Sequence, residues 1–165
     1  RKNSKVTLQN ISLKGIYTNA INNTRLEISS FNATTAKSKI AGSFMMRGNA
    51  RQDYSVNLNG KIDLAELYQI LEPDTIESMS GLMEIHFEGS GRPERGSSLT
   101  AADFRKFKTS GELKLSNAAF TLKESVLHPD SLNGQLAFDG NNVSITQFSG
   151  KAAGSDSSAR RPQRR

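Results

Sequence analysis

The sequence contains no cysteine, which excludes disulfide bonds, thiolate metal sites and thiol catalysis. It also contains no run near the roughly 20 apolar residues that a membrane-spanning helix requires. The first residues, Arg1-Lys2-Asn3-Ser4, offer neither a methionine nor an apolar stretch, so they form no signal-peptide pattern. We therefore expect this chain to be an internal segment of a longer protein.

Net charge is also low once the C-terminus is set apart. The whole chain carries +6, but four arginines lie among the last six residues, and residues 1–159 carry only +2. A basic tail can bind nucleic acid or anionic lipid head groups. Because no aromatic residue lies near it and the rest of the chain has no basic face, we interpret residues 159–165 as a nonspecific tail that is either disordered or not native to the domain. We expect no specific nucleic-acid partner.

Candidate catalytic and metal-binding residues are few. Glu84, His86 and Glu88 alternate and so share one strand face, where they could bind a divalent metal. The apolar residues that alternate with them are predicted to occupy the inner face, so we interpret these three residues as part of a solvated outer face. His128 falls in a predicted loop without the spacing of a catalytic triad, and Gly89-Ser90-Gly91 lacks the rest of a phosphate-binding loop. We expect no enzymatic activity, no cofactor and no metal site.

What the sequence does contain is a strand pattern that occurs twice. Apolar and polar residues alternate in Leu26-Glu27-Ile28-Ser29-Ser30-Phe31 and again in Val143-Ser144-Ile145-Thr146-Gln147-Phe148. This period predicts strands with one apolar and one polar face, in agreement with a hydrophobic content of only 35%. In both stretches the phase slips by one residue before the phenylalanine, which is the effect of a β-bulge. The repeat predicts one long sheet built by iteration.

Other elements recur in the same order. Leu13-Lys14-Gly15 parallels Leu132-Asn133-Gly134, and further strands are predicted at Gly111–Ser116 and Ala119–Leu122. The turn Asp139–Asn142, between two alternating strands, predicts a hairpin. Similar elements in one order, with insertions between them, predict an elongating antiparallel meander.

Two short helices are predicted among the strands. Asp63 is a suitable N-cap with Glu66 three residues later, which is the capping-box arrangement, and Pro73 ends the run. Thr100–Lys106 is the second predicted helix. The first has packing residues at helical spacing: Leu64, Leu67, Tyr68 and Leu71. The predicted fold class is mainly β, an elongated, curved antiparallel sheet that forms a repeating groove, with two short α-helices.

The apolar face of such a sheet must be covered, and two short helices are too little cover for it. Curling of the sheet, or acyl chains lying in it, would bury the remainder; an ordinary sandwich core without a ligand is the alternative. The candidate lining residues of the groove alternate along the predicted strands: Ile40, Phe44, Met46, Val56, Leu58, Met83, Ile85, Phe87, Leu113, Leu115, Leu136, Phe138, Val143 and Ile145.

The order of small and apolar residues between positions 111 and 155 is distinctive. Its segments are Gly111–Phe120, Leu132–Phe138, Val143–Ile145, Phe148–Lys151 and Gly154-Ser155. This order resembles the C-terminal region of the AsmA family, in the wider AsmA/TamB group of Gram-negative envelope proteins. The asparagine-rich style is similar to that of members from Bacteroidota. Through the internal repeat, the resemblance extends loosely over residues 5–155.

The resemblance implies that residues 1–158 are an AsmA-like segment of a longer protein. It implies a curled sheet in the periplasm, with an apolar concave face, anchored to the inner membrane through a part of the protein outside this chain. It further implies a non-catalytic role in outer-membrane biogenesis and phospholipid transport between the two membranes, with phospholipid acyl chains as partners. The competing hypothesis is a structural or adhesive β-sandwich or solenoid module that binds protein or glycan on its surface.

Overall fold

The computed structural model describes residues 6–21, 23–49, 51–93, 106–126 and 128–153. Its strands form one antiparallel eight-stranded sheet, in which the order along the sequence is also the order in space. They are β1 Asn10–Ala20, β2 Asn23–Thr34, β3 Lys39–Arg47, β4 Asp53–Asp63, β5 Ile76–Gly91, β6 Lys108–Leu122, β7 His128–Asp139 and β8 Asn142–Ala153. One helix, α1 (Leu64–Leu71), connects β4 to β5. The predicted mainly β fold and its antiparallel pairing are therefore confirmed.

Both predicted bulges are present. In β2, the pairing with β3 steps from Ile28 to Phe31 while β3 advances by only two residues. In β8, the pairing with β7 likewise contains an extra residue between Thr146 and Ser149. Gln147, within that interval, has a φ of +52°, in the left-handed region. Because the apolar pattern slips by one residue at each bulge, the apolar side chains stay on one face along the whole strand.

Strand β6 contains a bulge that the sequence pattern did not predict. Its two halves, Gly111–Ser116 and Ala119–Leu122, were expected as separate strands, but they form one strand that passes through Asn117. Asn117 has a φ of +50°, and the pairing register shifts there by one residue. A bulge interrupts the side-chain alternation without ending the hydrogen-bonded ladder. His128 is a second correction, because it begins β7 rather than lying in a loop.

Helix α1 begins as predicted but is capped differently. The Asp63 side chain accepts a hydrogen bond from the Glu66 backbone N–H at 3.0 Å, which confirms Asp63 as the N-cap. The reciprocal bond of a capping box is absent, since the Asp63 N–H donates to Ser38 Oγ at 3.0 Å instead. The helix ends at Glu72, whose left-handed conformation lets its N–H donate to the Tyr68 carbonyl. Of the second predicted helix, only Lys106 belongs to the described residues.

Little of the described chain is deeply buried. Its buried apolar residues are Ile62, Leu64, Phe107 and Ala118. Helix α1 packs over one end of the sheet, where Leu67 and Ile70 line a small cavity of about 100 Å³ together with Ile40 of β3. Leu71, predicted to pack, is 62% exposed. Among the described residues, the core therefore lies at the end of the sheet under α1 and at isolated positions elsewhere.

Candidate ligand-binding face of the sheet

The predicted lining residues all lie on one side of the sheet, which we call the apolar face. In an antiparallel sheet, residues directly opposite each other on neighbouring strands share a face. One row crosses β3 to β8 through Ile40, Gly60, Ile85, Leu113, Leu136 and Ile145. The next row runs through Gly42, Leu58, Phe87, Gly111, Phe138 and Val143. The remaining candidates, Phe44, Met46, Val56, Met83 and Leu115, alternate with these and join the same face.

The apolar face extends over two more strands than the lining prediction included. Residues of β1 and β2 continue it: Ile11, Leu13, Tyr17, Leu26, Ile28 and Phe31. Their alternation is visible in the sequence, but their membership of the face depends on the pairing register. Phe31 lies opposite Gly42 and Ile28 opposite Phe44, which places both on the apolar side.

Phe107 is a further member of the apolar face that the sequence pattern did not indicate. It precedes β6, is only 9% exposed, and stacks on Tyr54 with ring centroids 6.5 Å apart. It also lies against Gly91, where an added Cβ would collide with its ring. Phe107 thus covers the end of the apolar face opposite to α1. The sequence pattern did not indicate this role, because Phe107 precedes the predicted strand Gly111–Ser116 and is separated from it by three polar residues.

Every glycine within a described strand lies on the apolar face. They are Gly15, Gly42, Gly60, Gly81, Gly89, Gly91, Gly111, Gly134 and Gly150. Large side chains lie over several of them, as Phe138 does over Gly111 and Phe148 over Gly134. Across Gly111, the rings of Phe87 and Phe138 come within 6.0 Å although two strand spacings separate β5 from β7. Glycine therefore lets rings from non-adjacent strands meet.

Neighbouring backbones also approach closely at four of these glycines: Gly15, Gly42, Gly81 and Gly111. An added Cβ at Gly42 would collide with the Asn57 carbonyl oxygen, and one at Gly111 with the His86 carbonyl oxygen. No other residue type fits these positions without movement of the adjacent strand. Glycines and β-bulges allow a sheet to bend away from a flat pleat. Here the glycines lie on the apolar face, and the bulges keep the apolar side chains on that face.

The apolar face is only partly covered. Twelve of the fourteen predicted lining residues are half-buried. The other two, Val143 and Ile145 at the β8 edge, are 58% and 63% exposed. Because all the described strands belong to one sheet, no second sheet packs on this face in the described part of the chain. The cover that the described residues provide consists of α1 at one end and Phe107 at the other.

The opposite face is polar and includes the candidate metal residues. Glu84 forms an ion pair with Lys61, with Nζ and Oε1 3.1 Å apart. His86 contacts Asn59 through Nδ1, and its Nε2 lies 3.6 Å from Glu88 Oε1. The described residues contain no group of three or more histidine, aspartate or glutamate side chains arranged to hold a metal ion. Of the three residues, His86 and Glu88 contact each other, and Glu84 pairs with Lys61 instead.

A shallow polar cleft of about 530 Å³ lies on this polar face. It crosses five strands and is lined by hydroxyl, amide and charged side chains, among them Ser43, Asn57, Glu88, Lys108, Ser110 and Asp139. The Asn57 amide donates to Glu88 Oε1 at 3.1 Å. The cleft thus offers many hydrogen-bonding groups and charges of both signs.

Glu66 forms the main buried polar contact of the described chain. Its side chain is 9% exposed and accepts hydrogen bonds from Thr35, from Ser38 Oγ at 2.6 Å and from the Lys37 N–H at 3.2 Å. Burial alone would raise the pKa of Glu66, but the hydrogen bonds from Ser38 and Thr35 hold that pKa below its ordinary value. Glu66 therefore ties helix α1 to the turn between β2 and β3.

An exposed ion pair joins β4 to the chain after β5. Arg92 binds Asp53 through two hydrogen bonds, Nε to Oδ1 at 2.6 Å and Nη2 to Oδ2 at 2.9 Å. This bidentate contact lowers the pKa of Asp53. Both side chains are about half exposed, so the pair fixes local geometry and adds little stability.

Comparisons with known proteins give no relative. No family model matches the chain, and neither curated proteins nor solved structures include a match. None of the described helices has the length and apolar character that crossing a membrane requires.

Proposed function

We propose that this chain is a non-catalytic segment of an AsmA-like envelope protein that binds phospholipid acyl chains along its apolar face. In this proposal it lies in the periplasm, anchored to the inner membrane through another part of the protein. It serves outer-membrane biogenesis and the transport of phospholipid between the inner and outer membranes. The resemblance of residues 111–155 to the AsmA family suggests the process, and the apolar face supports the ligand.

The observation that carries the proposal is a continuous apolar face with incomplete cover. Six strands at a spacing of ~4.8 Å give each row a length of about 24 Å. This exceeds the ~15 Å that one leaflet contributes to the hydrocarbon core of a bilayer. Each methylene group removed from water contributes about 0.8 kcal/mol. An acyl chain along a row would therefore gain substantial free energy, while its head group stays in water.

A charge placed within the apolar face tests the proposal. We expect Leu136→Glu to abolish the co-purification of phospholipid, because Leu136 lies in the row between Leu113 and Ile145. Gln135→Glu is the matched control, since it adds the same charge one residue away on the polar face. The measurement is native mass spectrometry with lipid extraction of chains purified from bacterial envelopes. Absence of phospholipid from the unmodified chain, or equal retention by both variants, would contradict the proposal.

The polar cleft favours a second candidate function, a surface module that binds a glycan or protein. Its serine, asparagine and charged side chains form the kind of surface that hydroxyl-rich ligands contact. In that case Asn57→Ala and Ser110→Ala should weaken glycan binding in a glycan-array assay, and Leu136→Glu should not. Bound phospholipid without any glycan signal would exclude this candidate.

A further inference from the structure

We propose that the free edge of β8 binds strand β1 of a second copy of this chain, so that the sheet continues from one molecule into the next. Such a contact uses the edges of the sheet, whereas acyl chains would bind its apolar face.

Strands β1 and β8 are the two edges of the sheet, and no strand of the described chain pairs with their outer sides. They are long, with 11 and 12 residues. Natural edge strands are usually protected by short length, proline, bulges, edge lysines or charges that point inward. Neither edge contains proline or an inward charge. The protection present is one lysine on the polar face of each, Lys14 and Lys151, and the bulge of β8. On the apolar face Leu13 is 64% exposed and Phe148 is 59% exposed.

The internal repeat indicates which kind of strand fits the β8 edge. Strand β8 repeats β2 in sequence and in the position of its bulge. Strand β8 pairs with β7 on one side, as β2 pairs with β1. The free side of β8 therefore corresponds to the side of β2 that pairs with β3. There, Gly42 is opposite Phe31 and Phe44 is opposite Ile28, across the bulge. A strand with the β3 pattern therefore matches the β8 edge.

Strand β1 has the β3 pattern. Ile40-Ala41-Gly42-Ser43-Phe44 and Leu13-Lys14-Gly15-Ile16-Tyr17 share the order apolar, any residue, glycine, any residue, aromatic. Placed on β8 as β3 lies on β2, β1 of a second copy sets Gly15 opposite Phe148 and Tyr17 opposite Ile145. A phenylalanine of the bulged strand thus faces a glycine, as Phe31 does in the β2–β3 pair.

Strand direction and charge agree with this pairing. With an even number of antiparallel strands, β8 runs opposite to β1, so the new pair is antiparallel and both apolar faces lie on the same side. On the polar face the register sets Thr18 opposite Ser144, Lys14 opposite Ser149 and Ser12 opposite Lys151. No like charges therefore oppose each other. The contact joins two different edges, so it leaves one of each free and forms open-ended oligomers.

Disulfide trapping tests the register, because the natural chain has no cysteine. Thr18→Cys and Ser144→Cys chains are mixed under oxidising conditions. Directly opposite residues have Cβ atoms ~4.5–5.5 Å apart, within reach of a disulfide after small shifts. The matched control mixes Thr18→Cys with Lys151→Cys, about 20 Å along the strand from the proposed partner. We expect several-fold more heterodimer from the first mixture, and equal yields would overturn the proposal.

Sedimentation of the unlinked chain gives an independent result. We expect the average mass to rise with concentration above the 18.0 kDa of one chain. Ile145→Lys should return it to the monomer, whereas Ile21→Lys, at a turn residue that is 97% exposed, should not. A chain that stays monomeric, or an Ile145→Lys variant that still associates, would overturn the proposal. A chain that stays monomeric but binds a peptide of residues 39–47, the β3 sequence, would show that the β8 edge pairs with a strand of the β3 pattern other than β1 of a second copy. Leu136→Glu leaves both edges intact, so failure of lipid binding is a separate outcome.

Discussion

At the scale of single residues, glycine determines how closely the strands approach each other. Gly111 lies under the ring of Phe138 and beside the carbonyl oxygen of His86, and neither neighbour leaves room for a Cβ. At Gly60, on the adjacent row, an added Cβ would lie 3.3 Å from the side chain of Ile85, and 3.5 Å from both the side chain of Ile40 and the carbonyl oxygen of Lys39. The two glycines share a face but differ in how closely the neighbouring backbone approaches them: it would collide with an added Cβ at Gly111 and lie 3.5 Å from one at Gly60.

This difference predicts unequal effects of alanine at the two positions. Gly111→Ala should destabilise the chain by about 1–3 kcal/mol, because the backbone of β5 must move to admit the Cβ. Gly60→Ala should change the free energy of unfolding by less than about 1 kcal/mol, since an isoleucine side chain can shift by a few tenths of an ångström. Urea denaturation of both variants measures this. Equal losses would show that the close approach at Gly111 does not constrain the sheet.

The lining residues show how much of the apolar face the sequence predicts at single positions. Alternation identified residues such as Ile85 and Leu113 as members of one apolar face, and the register agrees. The same alternation did not show that Phe107 covers an end of that face, because four polar residues and Gly111 separate it from Leu113, the next apolar side chain of the strand. A period-2 pattern indicates which side is apolar, but not which groups pack on it. That depends on contacts between residues far apart in the chain.

At the scale of elements, helix α1 is held by a contact between its first turn and a distant loop. Glu66 accepts hydrogen bonds from Ser38 and Thr35, and Ser38 also accepts one from Asp63. The capping-box spacing correctly predicted where the helix begins. It could not predict that Ser38 takes over the reciprocal bond, because Ser38 lies 25 residues before the cap. Local sequence thus located the helix, and tertiary contacts determined its attachment.

This attachment predicts a pH-dependent stability. The pKa of Glu66 in the folded chain lies below its ordinary value of 4.5. Its stabilising effect is therefore complete above that value and is lost as the pH falls through the lower folded pKa. Glu66→Gln should cost about 1 kcal/mol at neutral pH, and the difference from the natural chain should shrink below pH 4.5.

Urea denaturation from neutral to acidic pH measures this difference directly. Glu77→Gln, at an exposed position of β5, is the matched control and should follow the natural chain at every pH. A Glu66→Gln variant whose deficit stays constant with pH would show that the charge of the carboxylate does not hold α1.

The bulges, too, were predicted from the local sequence in some strands and missed in another. Those of β2 and β8 were predicted because large apolar residues on both sides reveal the phase slip. The bulge at Asn117 was missed, because Ala118 and Ala119 follow it and two small residues hide the change of phase. An element is thus predictable where its side chains differ strongly between faces, and its limits become ambiguous where they do not.

At the scale of the whole molecule, the two proposals use different surfaces of one sheet. Acyl chains would cover side chains on the apolar face and leave the outer backbone groups of β1 and β8 in water. A second copy would pair those backbone groups and leave most of the face open. Amide hydrogen exchange responds to hydrogen bonding of the backbone, so it distinguishes a sheet with bound acyl chains from a sheet paired with a second copy.

Exchange measured strand by strand should therefore give two distinct responses. In dilute, lipid-free solution, β4, β5 and β6 should be the most protected, and β1 and β8 should exchange fastest, because one side of each edge strand is unpaired. Raising the protein concentration should slow exchange in β1 and β8 together, since each edge pairs with the other. Adding phospholipid at low protein concentration should leave the outward amides of both edges fast. Protection of only one edge at high concentration would contradict the head-to-tail contact, because that contact always uses one edge of each kind.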